Sequence, residues 1–157
     1  MSVFTMKSVQ QFPVGKDEIW EFISSPGNLK HITPPYMGFD ILNKELPEKM
    51  YPGMIISYHV RPLWGIKTLW VTEITHVIDK EYFVDEQRVG PYRLWHHQHR
   101  LIEGPGGVQM EDTVTYQPPF GWLGNIANNL IIKNKLKEIF DFRTQILERK
   151  FGKKEYR

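Results

Sequence analysis

Hydrophobic positions recur with two different periods along this chain, and the order of those periods predicts its elements. Residues 3–12, VFTMKSVQQF, mix alternation with β-forming side chains and read as a strand. PVGKDEIWEFIS then turns helical. Asp17 and Glu18 suit a first turn, and Ile19, Phe22 and Ile23 make an apolar face with Trp20 at its flank. SPGNLKHITPP is punctuated by Pro26, Gly27, Pro34 and Pro35 and holds one short helix around Asn28 to His31.

From residue 37 the period shortens. MGFDILNKEL, GMIISYHVRP, KTLWVTEITHVI, YFVDEQRV, RLWHHQHRLI and GVQMEDTVTY each read as a strand, separated by turn material at 48–53, 61–65, 79–80, 90–91 and 104–107. Strands in sequence with short connections mean antiparallel hairpins rather than βαβ units. After PPFG the helical period returns over Trp122 to Arg149. Leu123, Ile126, Ala127, Leu130 and Ile131 form a first stripe, continued by Leu136, Ile139, Phe140, Ile146 and Leu147. Such a helix is about 40 Å long. The order predicts an α+β fold, in which the long C-terminal helix covers the concave face of a curved antiparallel sheet. Strong curvature leaves a cavity between the two layers, and cavities of this kind take small molecules.

Read as a strand, LWHHQHRL divides into two faces. Leu94, His96, Gln98 and Arg100 point outward, while Trp95, His97, His99 and Leu101 line the concave side. A hairpin turning at Gly90–Pro91 sets Gln87 beside Trp95, Asp85 beside His97 and Phe83 beside His99. A hairpin turning at 104–107 sets Met110 beside Leu101, Asp112 beside His99 and Val114 beside His97. A polar band of Asp85, His97, His99 and Asp112 therefore crosses the wall, with Gln87 and Tyr116 at its edges. Phe83, Trp95, Leu101, Met110 and Val114 surround it. Two carboxylates facing two imidazoles suit three roles: structural ion pairs fixing strand register, a polar anchor for a ligand, or metal ligation.

Other positions add less. Tyr58 and Trp70 are wall candidates. HITPPYMGF is a loop placed to close a cavity mouth, and Trp64 in PLWG is either a pocket lip or a packing residue. His31 is expected at the surface, and His59 and His76 as structural. KNKLKE, 133–138, reads as a solvated helix face.

Bulk properties narrow the function classes. The 157 residues fit one domain, 1–157, and are enough for a real core. A formal net charge of +2 with no basic stripe argues against nucleic acid. With no cysteine, neither disulfides nor a thiolate zinc site can form. The N-terminus lacks the pattern of a signal peptide, and no apolar run approaches a membrane span, so a cytoplasmic protein without stable membrane association is expected. There is no nucleophile elbow, phosphate-cradling loop or dinucleotide fingerprint, and neither a cofactor nor a metal is expected.

MYPGMIISYHVRPLWGIKTLW, FVDEQRVGPYRLWHHQHRL and MEDTVTYQPPFG together resemble the START-like, or SRPBCC, superfamily with its helix-grip fold. They are most similar to its polyketide cyclase/dehydrase and lipid-transport branch. The branch pattern FxDxQxxGPYxxWxHxH matches here at Phe83, Asp85, Gln87, Gly90, Pro91, Trp95, His97 and His99, with Leu101 standing where the branch has Phe. The resemblance implies a curved seven-stranded antiparallel sheet around a long C-terminal helix, two short helices after the first strand, and an interior apolar cavity. It carries over no catalytic set. The expected function is binding of a small hydrophobic molecule (lipid, isoprenoid or polyketide-like) by the residues of the concave wall. The alternative is a cyclase or dehydratase in which His97 or His99, oriented by Asp85 or Asp112, moves a proton at a carbonyl carbon.

Overall fold

The computed structural model describes residues 2–62 and 65–153. Trp64, read from sequence as a lip or packing residue, lies outside them.

Seven strands form one antiparallel sheet: β1 (Phe4–Phe12), β2 (Asp40–Ile41), β3 (Met54–Val60), β4 (Thr68–Ile78), β5 (Tyr82–Val89), β6 (Leu94–Gly104) and β7 (Gly107–Gln117). Their order is β1-β7-β6-β5-β4-β3-β2, so β1 pairs with β7 and the rest is a meander. Between β1 and β2 lie helix α1 (Lys16–Ile23) and two 3-10 turns, Pro26–Ile32 and Pro35–Met37. After β7 the chain continues as α2 (Gly121–Ala127), a π turn (Asn128–Ile132) and α3 (Lys133–Phe151). This is the expected α+β architecture. Among the described residues no helix is long and apolar enough to cross a membrane.

Three local readings change. The strand expected over 37–46 shrinks to Asp40–Ile41. Beyond Leu42 the chain leaves the sheet, and Asn43 instead caps the edge of β3 with its side chain, Oδ1 accepting from Ser57 N at 2.8 Å. Trp20 is not at the flank of α1. It is buried and meets Phe83 edge-on, ring centroids 6.0 Å apart.

The third change is the phase of the C-terminal helix. The stripe expected at Leu123, Ile126 and Leu130 is exposed, at 54%, 49% and 68%. Gly124, Asn128 and Ile132 face inward instead. The Tyr116 hydroxyl donates to Asn128 Oδ1 at 2.8 Å in the interior, drawing a polar residue under the helix at the π turn. The wider turn resets which residues point down. From there Ile132, Leu136, Phe140, Arg143 and Leu147 continue the inward row. Burial therefore separates neighbouring residues sharply. Leu130→Gln is expected to change stability by less than about 0.5 kcal/mol. Ile132→Ala is expected to cost about 2–4 kcal/mol, as for large-to-small core changes. Urea titration of the two variants checks this.

The core has two lobes. One lies under α1 and the end of α3, around Phe12, Ile19, Ile56, Met110, Leu147 and Phe151. The other lies under the start of α3, around Trp70, Trp95, Val114, Tyr116, Leu136 and Phe140. A cavity of about 150 Å³ opens beside them, between β3–β6 and α3.

Candidate functional site

Strands β5, β6 and β7 carry the polar band in the register their turns imply. Phe83 lies opposite His99 and Asp85 opposite His97. Leu101 lies opposite Met110, His99 opposite Asp112, and His97 opposite Val114. The pairing of Gln87 with Trp95 is not made, because the β5–β6 ladder stops at Glu86–His96. Gln87 closes the hairpin instead. Its Nε2 donates to the Tyr92 carbonyl at 2.6 Å and its Oε1 accepts from the Tyr92 N–H at 3.2 Å.

Each imidazole meets a carboxylate diagonally, within the reach that a sheet face allows long side chains, in addition to its partner straight across. His97 Nε2 donates to Asp112 Oδ1 at 3.0 Å, and His99 Nε2 meets Asp85 Oδ2 at 2.8 Å. The two imidazoles lie against each other, centroids 3.7 Å apart, and Phe83 stacks on His99 at 4.1 Å.

Helix α3 adds a fifth member. Arg143 Nη2 lies 3.0 Å from His99 Nδ1 and 3.5 Å from Asp112 Oδ1. His99 Nδ1 is also 2.8 Å from Asp112 Oδ1, so His99 is engaged through both nitrogens. Arg143 Nε is the one buried side-chain polar atom without a partner among the described residues. Arg143 is not among the residues singled out from sequence. The signal was its position, three residues after Phe140 and four before Leu147, which is the phase of the buried row.

The electrostatics follow from this packing. Burial opposes ionisation of Asp112, but Arg143 and the hydrogen bonds from His97 and His99 outweigh it and hold the carboxyl well below its usual range. Burial likewise opposes ionisation of Asp85, and His97 and His99 outweigh it. His97 goes the other way. Burial, reinforced by His99, outweighs the two carboxylates and brings it down to about 4. His97 is therefore neutral at pH 7, with its proton on Nε2 toward Asp112 and a lone pair on Nδ1. That lone pair sits 3.4 Å from Asp85 Oδ2.

Asp85, His97 and His99 bring ligand atoms within 4.8 Å of one another, a spacing that a metal ion can bridge. The chemistry of the cluster is less suited to one. Both His99 nitrogens are already bonded, and a guanidinium lies alongside, so an ion would have to break existing pairs against a neighbouring positive charge.

Of the wall residues expected from sequence, Phe83, Asp85, Trp95, His97 and His99 line the cavity. Asp112 is buried behind His97 and His99. Leu101 and Met110 pack in the first core lobe, and Val114 and Tyr116 in the second. Tyr58 and Trp70 line the cavity, as do Ile32, Thr33, Met37 and Phe39 from the loop expected to close its mouth. His31 and His76 are exposed, and His59 is half-buried.

No protein-family model matches the chain, and no curated protein matches it. Solved structures are similar in fold across nearly the whole length. The chain is similar to protein CV1439 from Chromobacterium violaceum at 10% identity and a TM-score of 0.70, covering 96% of this chain and 98% of that one. It is similar to the major latex-like protein 151 of Panax ginseng at 11% identity and a TM-score of 0.68, covering 95% and 97%. It is similar to Ara h 8.0201 at 16% identity and a TM-score of 0.61, covering 94% and 99%. At these identities the likeness shows the fold, the helix-grip arrangement of a curved sheet around a long helix.

Proposed function

We propose that this chain, as one unit over residues 1–157, binds a single small and largely apolar molecule in the cavity between the sheet and α3. The observation that carries the reading is the composition of that cavity. About 150 Å³ is walled by side chains such as Ile32, Val60, Ile74, Trp95 and Phe140, and bordered by one compact charged group. A cavity of ~150 Å³ lined by apolar side chains accommodates benzene. The size favours a ring or a short isoprenoid- or polyketide-like unit over an extended lipid chain. Apolar contact supplies affinity, at ~25 cal/mol per Å² buried. Asp85, His97, His99 and Arg143 supply orientation. The sequence resemblance to the polyketide cyclase/dehydrase and lipid-transport branch supports the same role.

Binding is favoured over the proton-transfer alternative by the state of His97 and by the engagement of both His99 nitrogens with Asp85 and Asp112. General acid–base catalysis works best when the group titrates near the working pH. A histidine at about 4, with Nε2 committed to Asp112, is a poor acid and a weak base at neutrality.

Two measurements test the reading. Native mass spectrometry of freshly purified protein should show an organic adduct that is lost on denaturation. Val60→Phe, which fills the cavity from a buried wall position, should remove the adduct while cooperative unfolding persists. In the wild-type chain toluene should raise the melting midpoint, and in Val60→Phe it should not. An unchanged wild-type midpoint together with a bare native mass sinks the proposal.

A further inference from the structure

Beside the charged group, the sheet wall of the cavity carries a second polar cluster. Tyr58, Trp70 and Thr72 all line the cavity. Trp70 Nε1 donates to Thr72 Oγ1 at 3.1 Å, and the Tyr58 and Thr72 hydroxyls share a hydrogen bond at 3.0 Å. The hydrogens can be counted. The three groups hold one N–H and two O–H donors. Trp70 uses its N–H, and the hydroxyl pair uses one O–H between its members. One O–H is left over, on Thr72 if Tyr58 donates, or on Tyr58 if Thr72 donates. Burial raises the Tyr58 phenol, so it keeps its proton. Neither hydroxyl bonds a further acceptor among the described residues, both side chains line the cavity, and the Asp85 carboxylate is close enough to act on the Tyr58 phenol. Tyr58 is enclosed by Phe39 at 4.2 Å and Trp70 at 6.2 Å between ring centroids.

The charged side has the opposite surplus. Asp85 and His97 both line the cavity, and Asp85 Oδ2, which also meets His99 Nε2, lies 3.4 Å from His97 Nδ1. No hydrogen lies between them when the His97 proton is on Nε2. A single donor from a ligand would sit against both. Thr72 and Asp85 are placed diagonally on adjacent strands, since Ile74 pairs with Asp85 and Thr72 with Gln87. Such diagonal neighbours are about 7–8 Å apart, roughly the span of a ring with a substituent at each end. Phe39, Trp70, Tyr92, Trp95 and Phe140 also line the cavity, and aromatic walls suit a flat ligand.

We infer that the ligand is a planar, ring-sized molecule with a neutral hydroxyl or amine donor at one end and a carbonyl-type acceptor at the other. The donor is held by Asp85 and His97, and the acceptor by the spare hydroxyl of the Tyr58–Thr72 pair. This rests on the cavity-binding reading and specifies its ligand class.

Four probes of matched shape test it on the wild-type chain: 4-hydroxyacetophenone, 4-ethylphenol without the acceptor, 4-methylacetophenone without the donor, and 4-ethyltoluene with neither. Dissociation constants come from protein-observed NMR titration. Each matched hydrogen bond should be worth a factor of about 5–10 in affinity. The order expected is 4-hydroxyacetophenone tightest, the two singly matched probes intermediate, and 4-ethyltoluene weakest. The carbonyl stretch of bound 4-hydroxyacetophenone should also move to lower frequency than in an apolar solvent. Equal affinity of all four probes, or an unshifted carbonyl band, overturns the assignment of polar ends while leaving an apolar binding cavity in place. Failure of every probe to bind overturns the cavity reading beneath it.

Discussion

Arg143→Leu is expected to destabilise the fold by about 3–5 kcal/mol, the cost of leaving a buried charge without its partner. Two carboxylates, Asp85 and Asp112, face this part of the interior, and Arg143 is the permanent cation beside them. Leucine fits the apolar neighbours Leu136, Phe140 and Leu147 of the inward row, so lost packing is a small part of the cost. The rest is electrostatic, and a second substitution isolates it. Asp112→Asn in the Arg143→Leu background removes the negative charge left uncompensated. The double variant should therefore be clearly more stable than the sum of the two single losses predicts, with a coupling of about 1–3 kcal/mol. Urea unfolding of the wild type, both singles and the double measures it. Additive losses, or a cost below about 1 kcal/mol for Arg143→Leu, would show that the guanidinium contributes packing rather than charge balance.

Arg143 also marks where the sequence stopped being legible. Period-two alternation fixes which residues share a sheet face, and a tight turn fixes register. The His97 and His99 side chains and their cross-strand neighbours were therefore readable from RLWHHQHRLI and its two flanking turns. Which atom bonds which was not. Cross-strand position sets Asp85 opposite His97, whereas the shorter bond runs from Asp85 to His99, because side chains lean along the strand. The helix was harder. Its apolar residues outnumber the places available beneath it, so periodicity alone accommodates more than one phase. A buried bond from Tyr116 to Asn128 chooses between them and leaves Leu123, Ile126 and Leu130 outside. That bond joins a strand to a helix and has no signature in local spacing. Arg143 was missed although its spacing is in phase with the buried row, because a charged side chain stays inside only with partners, and its carboxylates lie on β5 and β7, distant in sequence.

The charged group also sets an acid limit on the fold. His97 titrates at an ordinary value of 6.5 when unfolded and at about 4 in the folded chain, chiefly because burial disfavours its charged form. Between those values the unfolded chain binds a proton that the folded chain does not. Stability must then fall as pH is lowered through this window, and the His97 contribution is absent above it. At 1.36 kcal/mol per unit, the loss at pH 5 relative to pH 7.5 is about 2 kcal/mol from this one residue. The groups facing it are Asp85, Asp112, His99 and Arg143. The two carboxylates have folded values below their ordinary 3.8, so the stability they contribute is present above that value and is lost only as pH falls further. The two effects are therefore separated in pH. His97→Gln keeps an amide donor in reach of Asp112 and removes the titration. Urea midpoints measured from pH 7.5 to 4.5 should fall steadily for the wild type and stay flatter for His97→Gln, with the curves converging toward neutrality apart from a constant offset. Parallel curves across the whole range would mean that His97 titrates alike in the folded and unfolded chains. Wild-type midpoints that rise relative to His97→Gln as pH is lowered would mean that His97 is held protonated in the folded chain. The lone pair that Nδ1 offers beside Asp85 would then be a proton donor, and the ligand end it meets would have to be an acceptor.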